Sequence, residues 1–333
     1  MSKKKLLAIN LNEFNLNYIK YGAKKYNCKN LKNFLKLKYI STFSRDKTQD
    51  KDLDPWVQNI SINSGKKSNE HKIFNLGEQI PTNLIQIWDY LSKKKIKSAI
   101  WGPMNTNFKN NKFIEIFLPD PWNNQSIVKP KELNSFYKLA RNYAQNYTKQ
   151  NIKFNFIYFL NSIFYLLYRG IIFKLLKNFN LFFFIFLKKG FKNYFLFFLF
   201  DIISLYIFRN LTKRKKINFS LVFLNSLAHF QHNNWDNKFE EKDYFLLTDL
   251  IMQIIFEMSK NYDSLIIYNG FSQKKIKPEF MLRPIDPKNF FKSYNIHFKK
   301  FHSNMTNGAI LTFKNNKILK FQLKKIKKIN LFG

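Results

Sequence analysis

Short apolar runs that end in polar residues constrain the fold of this chain more than any other feature. The clearest of them are Lys5–Leu11, Ser98–Trp101, Phe113–Leu118, Ile217–Leu224 and Ser264–Tyr268. Each run has the length of one buried strand, and longer stretches with helical periodicity separate them. Strands that alternate with helices predict an α/β fold, with a mostly parallel central sheet flanked by helices.

Polar residues that follow these strands are the first candidates for a functional site, since open parallel sheets bind ligands at the carboxyl ends of their strands. Asn12 and Glu13 follow the first run, and Asn269 follows the last. His229 and His232 follow the fourth run, in a stretch that we expect to be a loop, and the chain has only five histidines. Paired imidazoles next to a strand end indicate a metal site or an acid–base site.

A block from Phe154 to Phe208 is dominated by Phe, Leu, Ile and Tyr. Charged residues at Arg169, Lys188, Lys189 and Asp201 divide it into pieces shorter than the roughly 20 apolar residues of a membrane-spanning helix. We therefore expect two to four helices that pack as a hydrophobic cap, or that lie in a membrane interface with their lysines reaching the surface.

This block suggests a division of the chain into three parts. Residues 1–125 are expected to form the first part of the α/β domain, 126–215 the hydrophobic helical insertion, and 216–333 the second part of the α/β domain. We expect a last strand at Ala309–Phe313 and a solvated, lysine-rich tail after Phe321.

The charge balance is strongly basic, with 57 Lys and Arg against 21 Asp and Glu, for a formal net charge of +36. The lysines are scattered, and no zinc finger or aromatic–basic RNA-binding pattern is present. We expect an anionic small molecule, glycan or lipid as partner, a membrane surface contact through 154–208, and no specific nucleic-acid recognition. The single cysteine, Cys28, excludes an intramolecular disulfide and fits a reducing compartment.

The N-terminus does not have the pattern of a signal peptide. The apolar run after Lys5 is too short for a signal-peptide core, and no small-residue cleavage site follows it. We expect a cytoplasmic protein, peripheral to the inner face of the membrane if residues 154–208 touch a bilayer.

Four segments resemble the alkaline-phosphatase-like superfamily, in its branch of type I phosphodiesterases, nucleotide pyrophosphatases and sulfatases. They are LLAINLNEFN, DPWVQNISINSGKKSNEHKIFNLG, IWDYLSKKKIKSAIWGPMN and SLVFLNSLAHFQHNNWD, and SLIIYNGFSQ is a weaker match. The resemblance implies an α/β fold in which two divalent metal ions hold a phosphate or sulfate ester while a Ser or Thr attacks it.

Most positions that carry this chemistry in the family are changed here. Asn12 stands at the place of a metal-binding Asp, Ala228 at the place of another, and Tyr268-Asn269 at the place of Asp-His. Asp54 lies near the nucleophile position, where no Ser or Thr is present, and His302 is the loosely placed closing histidine. Only His232 clearly keeps its position.

Three interpretations follow. In the first, the site is rebuilt as a divergent hydrolase or transferase for a phosphate or sulfate ester, such as that of a surface glycan or a lipid-linked substrate. Asp54 and His229 are then the catalytic candidates, Gln231 and Trp235 bind substrate, and a divalent metal (zinc or manganese) has candidate ligands at Asn12, Glu13, Asp54, His232, Asn269 and His302.

In the second interpretation the protein is catalytically inactive and binds a glycan, a lipid or a partner in the cleft that corresponds to the active site of the family. The third is a basic scaffold at a membrane surface. Each candidate residue also has a plain structural role open to it: Glu13 can cap the helix that follows, Asp54 can start a turn before its proline, and the histidines can be satisfied by backbone.

Overall fold

The central sheet has five strands, and all of them are parallel. A computed structural model describes residues 4–44, 54–109, 111–123, 125, 127–146, 155–190, 192–235, 238–275, 284–303 and 309–329. The sheet order is β3-β2-β4-β1-β5, formed by β1 (Leu6–Leu11), β2 (Ser98–Trp101), β3 (Ile114–Leu118), β4 (Phe219–Leu224) and β5 (Ser264–Tyr268). The predicted α/β class and the parallel sheet are confirmed.

Helices lie on both faces of this sheet. In chain order they are α1 (Leu16–Lys25), α2 (Lys29–Phe34), α3 (Pro55–Ser64), α4 (Ser68–His71), α5 (Ile87–Lys93), α6 (Asn134–Asn146), α7 (Phe156–Tyr168), α8 (Ile171–Leu176), α9 (Phe179–Lys189), α10 (Asn193–Lys213), α11 (Ser226–Asn234), α12 (Lys238–Ser259), α13 (Pro287–Ser293) and α14 (Asn316–Ile326).

The two faces of the sheet have separate cores because successive strand residues point to opposite sides. On one face Leu7 and Ile9 of β1 pack with α12, α10 and α2 in the largest hydrophobic cluster. On the other face Ala8 packs with Trp88 of α5 and Leu221 of β4. The connection from β1 to β2 begins on the first face with α1 and α2 and ends on the other face with α5, whereas α12, in the connection from β4 to β5, packs on the first face.

The connections that leave the neighbouring strands β1 and β4 run in opposite directions along the sheet, since β1 is followed by β2 on the far side of β4 and β4 is followed by β5 on the far side of β1. The carboxyl ends of β1 and β4 form the topological switch point, where doubly wound folds leave a crevice for ligands. The fold places the residues after Leu11 and after Leu224 beside each other at this point.

Four helices, α7 to α10, occupy the hydrophobic block, at the upper limit of the expected number. Among the described residues α10 is the one helix long and apolar enough to cross a membrane, and 56% of its apolar window is buried inside the structure. Ile202 and Leu205 of α10 share a cluster with Val222 and Leu224 of β4. The last helix of the predicted insertion is thus a core helix that links β3 to β4.

One prediction about local structure is wrong, and the structure adds detail to two others. The stretch after β4 forms helix α11 where a loop was expected. The predicted last strand is present as β7 (Ala309–Thr312), and it pairs with β6 (Lys300–Ser303) in an antiparallel pair separate from the central sheet. The lysine-rich tail after Phe321 is mostly exposed or half-buried as far as it is described, and it continues helix α14, which begins at Asn316 with the Asn315 side chain capping it.

Candidate functional site

The ends of β1 and β4 are joined by a hydrogen bond between two asparagine side chains. Asn12 Nδ2 donates to Asn225 Oδ1 at 2.7 Å, and the Asn12 backbone N–H donates to the Leu224 carbonyl at 2.9 Å. The same amide nitrogen of Asn12 donates to Glu13 Oε1 at 3.0 Å. Asn12 therefore holds Glu13 at the switch point, with its amide nitrogen directed to the carboxylate.

Glu13 is buried and has a left-handed backbone conformation, with φ of 54°. A residue with a side chain rarely adopts this region, and such strain is concentrated at functional sites. Its carboxylate accepts hydrogen bonds from Asn12 Nδ2 and Gln273 Nε2. The two amides compensate the loss of hydration of this carboxylate and fix its orientation.

His232 lies at the open side of this carboxylate. Its Nε2 is 3.4 Å from Glu13 Oε2, and Gln273 Nε2 lies 3.0 Å and 3.2 Å from the two ring nitrogens. The imidazole exposes 55% of its surface, whereas the Glu13 side chain exposes 5%. A buried carboxylate that orients an exposed imidazole is the arrangement of a general acid–base pair.

A chain of hydrogen bonds connects this pair with the core of the protein. Buried Tyr244 on α12 donates from its hydroxyl to Gln231 Oε1 at 3.4 Å. Gln231 Nε2 donates to the Glu13 carbonyl at 2.8 Å and to Gln273 Oε1 at 3.0 Å. Because the Gln231 nitrogen must face the carbonyl of Glu13, the Gln273 oxygen faces Gln231 and the Gln273 nitrogen faces the carboxylate. Gln231, which was predicted to bind substrate, thus donates to the Glu13 backbone and fixes the orientation of Gln273.

Gln273 is a central residue of this site that the sequence analysis missed. Its carbonyl accepts from Asn15 Nδ2 at 2.9 Å, so its loop is tied to the start of α1. The available signal was its place five residues after the end of β5, at the carboxyl edge of the sheet. That signal is weak because a loop of this length gives no direction for a side chain.

The other histidine of the pair, His229, packs against α10. Its ring stacks on Phe197 of α10, with centroids 3.6 Å apart and planes 6° from parallel. Burial, with a smaller contribution from nearby His232, lowers the pKa of His229 to about 4. A neutral imidazole stacked on phenylalanine packs α11 against α10, so the structure separates the two histidines into different environments.

Asp201 of α10 explains why the stretch after β4 is a helix. Its Oδ2 accepts from the backbone N–H groups of Asn225 and Ser226 at 2.9 and 2.8 Å. These are the unpaired donors of the first turn of α11, which Asn225 itself does not cap. Burial raises the pKa of Asp201 to about 6, although its hydrogen bonds with Ser226 and Asn225 act in the opposite direction.

Two further candidates have contacts that explain their positions. Trp235, at the end of α11, stacks on Tyr18 with ring centroids 5.3 Å apart, beside the aromatic core between α1 and α12. Asn269 directs its amide nitrogen to the Phe14 carbonyl at 3.0 Å and the Phe271 carbonyl at 2.8 Å. Asn269 thus holds the β5 turn against the segment that carries Glu13.

Asp54 lies at the start of α3, and His302 lies in strand β6. Asp54 precedes α3, whose Trp56 and Val57 pack with Phe223 on the face of the sheet opposite to α10 and α12. His302 belongs to strand β6, outside the central sheet, and its side chain is not among those described.

The donor set at the switch point consists of one carboxylate and one imidazole. Across the part of the chain that the structure describes, no three His, Cys, Asp or Glu side chains come together as a metal-binding group. Catalytic zinc sites use three protein ligands, and here the amide nitrogens of Asn12 and Asn269 face oxygens. The predicted zinc or manganese ion stays a prediction.

Fold and site together define an α/β protein with a parallel sheet and a Glu–His pair at its switch point. Scans of protein-family models, curated proteins and solved structures found no match to this chain. The alkaline-phosphatase-like resemblance consequently stays a prediction that rests on the sequence alone.

Proposed function

We propose that this protein hydrolyses or transfers a phosphate or sulfate ester, with His232 as the general base and Glu13 as the residue that positions it. The observation that carries the proposal is the 3.4 Å contact between His232 Nε2 and the buried Glu13 carboxylate. The ester class comes from the resemblance, and the basic charge of the chain favours an anionic substrate.

The chemistry requires His232 to accept one proton. As water or an acceptor hydroxyl attacks the phosphorus or sulfur atom, its proton passes to the imidazole, and the bond to the ester oxygen breaks. The His232 imidazolium then gives this proton to the leaving alkoxide, so the leaving alcohol departs neutral and the imidazole is restored. Glu13 stabilises the imidazolium that forms, since its carboxylate lies beside the ring. The amides of Asn12 and Gln273 keep that carboxylate in place during the transfer.

The test compares His232→Gln with His297→Gln, an exposed histidine close to β6 that lies outside the site. Aryl phosphate monoesters, phosphodiesters and aryl sulfates are the substrates. Loss of a general base costs about 10²–10⁴-fold in kcat, so His232→Gln should lose at least about 100-fold while His297→Gln keeps the wild-type rate. Glu13→Gln should lower kcat with little change in KM, because it acts through His232.

Equal rates for His232→Gln and the wild type would overturn the proposal. Absence of turnover by the wild type on all three ester classes, with and without added zinc or manganese, would do the same.

A second candidate, a binding protein for an anionic group, is favoured by one observation. Each carboxylate oxygen of Glu13 already accepts a hydrogen bond from an amide nitrogen, so the carboxylate is held in place. Held in this way, it can keep the adjacent His232 imidazolium oriented toward an anion. Titration calorimetry with inorganic phosphate and sulfate separates the two candidates. Binding that His232→Gln abolishes, without turnover of any ester, would establish the binding function.

A further inference from the structure

A basic cavity lies at the junction of α8, α10 and α12, away from the Glu13–His232 pair. It has a volume of about 380 Å³, and its lining includes four cationic side chains, Lys174, Lys177, Arg209 and Lys213. The single carboxylate in the lining, Glu257, accepts from Arg209 Nη1 at 2.5 Å and from Gln253 Nε2 at 3.0 Å. Three of the four cations therefore have no carboxylate in the lining left to balance them.

Two groups in this cavity lack the interactions that burial normally demands. Arg209 Nε is buried and has no hydrogen-bond partner within the described residues. Burial lowers the pKa of Lys174, and Arg209 and Lys213 lower it further. An unsatisfied buried donor beside mutually repelling cations is costly unless an anion occupies the site. The chemistry of the cavity thus fits a phosphate group.

The helices next to the cavity have an apolar outer surface. Six large side chains on α7, α8 and α9 are at least 60% exposed: Phe156, Ile157, Phe164, Tyr168, Phe173 and Leu187. The helix of a water-soluble domain carries polar residues on its outer face, whereas a helix at a bilayer surface carries aromatic and aliphatic residues there. Phe173 directly precedes Lys174 in α8, so the apolar surface adjoins the basic cavity.

Lysines accompany this apolar surface as they do at membrane interfaces. Lys188 lies over the exposed Phe184 ring, 4.1 Å from its centroid, and Lys174 lies 5.9 Å from the Tyr206 ring centroid. The lysine ammonium groups fit the headgroup of an anionic lipid, and the apolar side chains beside them fit the adjoining acyl chains.

We propose that the cavity binds the phosphate of an anionic phospholipid headgroup, while the exposed side chains of α7, α8 and α9 enter the surface of the bilayer. The protein is then peripheral, with α7 to α9 in the interface and α10 in its own core. This docking surface does not depend on the proposed catalytic function, since none of its residues contacts Glu13 or His232 in the described structure.

The test uses the full chain and vesicle flotation. Vesicles of phosphatidylcholine alone are compared with vesicles that contain phosphatidylglycerol. The cavity variant Lys177→Gln/Lys213→Gln changes two exposed lysines, and Lys93→Gln/Lys94→Gln, at the end of α5, removes the same charge elsewhere. A lysine near an anionic surface contributes about 1 kcal/mol, so the cavity variant should bind anionic vesicles roughly 30-fold more weakly. The α5 variant should stay within about threefold of the wild type.

The apolar half of the surface has a matched control as well. Phe164→Asn/Phe173→Asn should weaken vesicle binding by at least about tenfold. Ile40→Asn/Phe43→Asn changes two other exposed apolar residues, 89% and 90% exposed, and should leave binding unchanged.

Three results would overturn the proposal. Equal losses for the cavity variant and the α5 variant would show general charge attraction. Equal binding of neutral and anionic vesicles would exclude a headgroup site. Binding of soluble glycerol phosphate that depends on Lys177 and Lys213, without any vesicle binding, would assign the cavity to a free phosphate compound. Activity of the Glu13–His232 pair on soluble esters is a separate readout, so failure of one proposal does not imply failure of the other.

Discussion

Replacement of Asp201 by asparagine should change how the stability of the protein depends on pH. Asp201 Oδ2 accepts from the Asn225 and Ser226 backbone N–H groups, and the side-chain oxygen of an asparagine can accept both. The cap of α11 is thus kept, while the titrating group is lost. Any pH-dependent difference between the two proteins then reports on the carboxyl group of Asp201.

The size of this difference follows from the pKa. Burial raises the pKa of Asp201 from 3.8 to about 6 in the folded protein. An acid whose pKa is raised on folding stabilises the protein at low pH, and this stability is lost as the pH rises through the folded value. Between pH 5.0 and pH 7.5 the wild type should lose about 1.4 kcal/mol relative to Asp201→Asn.

Urea denaturation followed by tryptophan fluorescence at the two pH values measures this difference. Other titrating groups cancel because both proteins carry them. Asp201→Leu removes the acceptor for two buried N–H groups and should cost about 2–5 kcal/mol. The compared quantity is the free energy of unfolding of the wild type minus that of Asp201→Asn. A value that is the same at both pH values, or that is larger at pH 7.5, would refute the role assigned to the Asp201 carboxyl group.

Three other predictions concern stability. The pKa of His229 is about 4 in the folded protein against 6.5 in the unfolded chain, so its stabilising contribution is present above pH 6.5 and is lost as the pH falls through 4, which lowers the free energy of unfolding by up to about 3 kcal/mol. The variant His229→Phe should lack this loss when urea titrations at pH 4.5 and 7.5 are compared. Lys189→Met leaves Asp243 buried without its cation and should cost about 3–5 kcal/mol, most of which Lys189→Met/Asp243→Leu should recover. Gly22→Ala should lower Tm despite the better helix propensity of alanine, because its Cβ would overlap the Phe245 ring; a higher Tm would contradict this.

The strands were predictable because each is a short apolar run with its own boundaries. β1, β2, β4 and β5 were placed within two residues, and their parallel arrangement follows from the helices between them. Helix α11 was not predictable from its own sequence. Its cap comes from Asp201, 25 residues before Ser226 in a different helix, and local patterns contain no information about such a partner.

The candidate site was predicted in part. Glu13 and His232 are predictable from the sequence because each follows a strand, and the structure brings them together at the switch point. The sequence also indicates His229 and His232 as one pair, since they lie three positions apart in the chain. In a helix that spacing allows one ring to pack on Phe197 while the other is exposed beside Glu13. Which of the two imidazoles lies beside Glu13 depends on how α11 packs against α10, and the sequence does not specify that packing.

Helix α11 is held at both ends by residues of other elements. At its start Asp201 pairs with the first N–H groups, and at its end Trp235 stacks on Tyr18 of α1. A variant that disturbs α10 therefore displaces His232 as well and would confuse catalysis with membrane binding. Phe164 and Phe173 avoid this difficulty, because they are exposed on α7 and α8 rather than packed in the core with α10. Replacing them should affect vesicle binding alone, whereas His232→Gln should affect the ester chemistry alone, so the two surfaces of this protein can be tested separately.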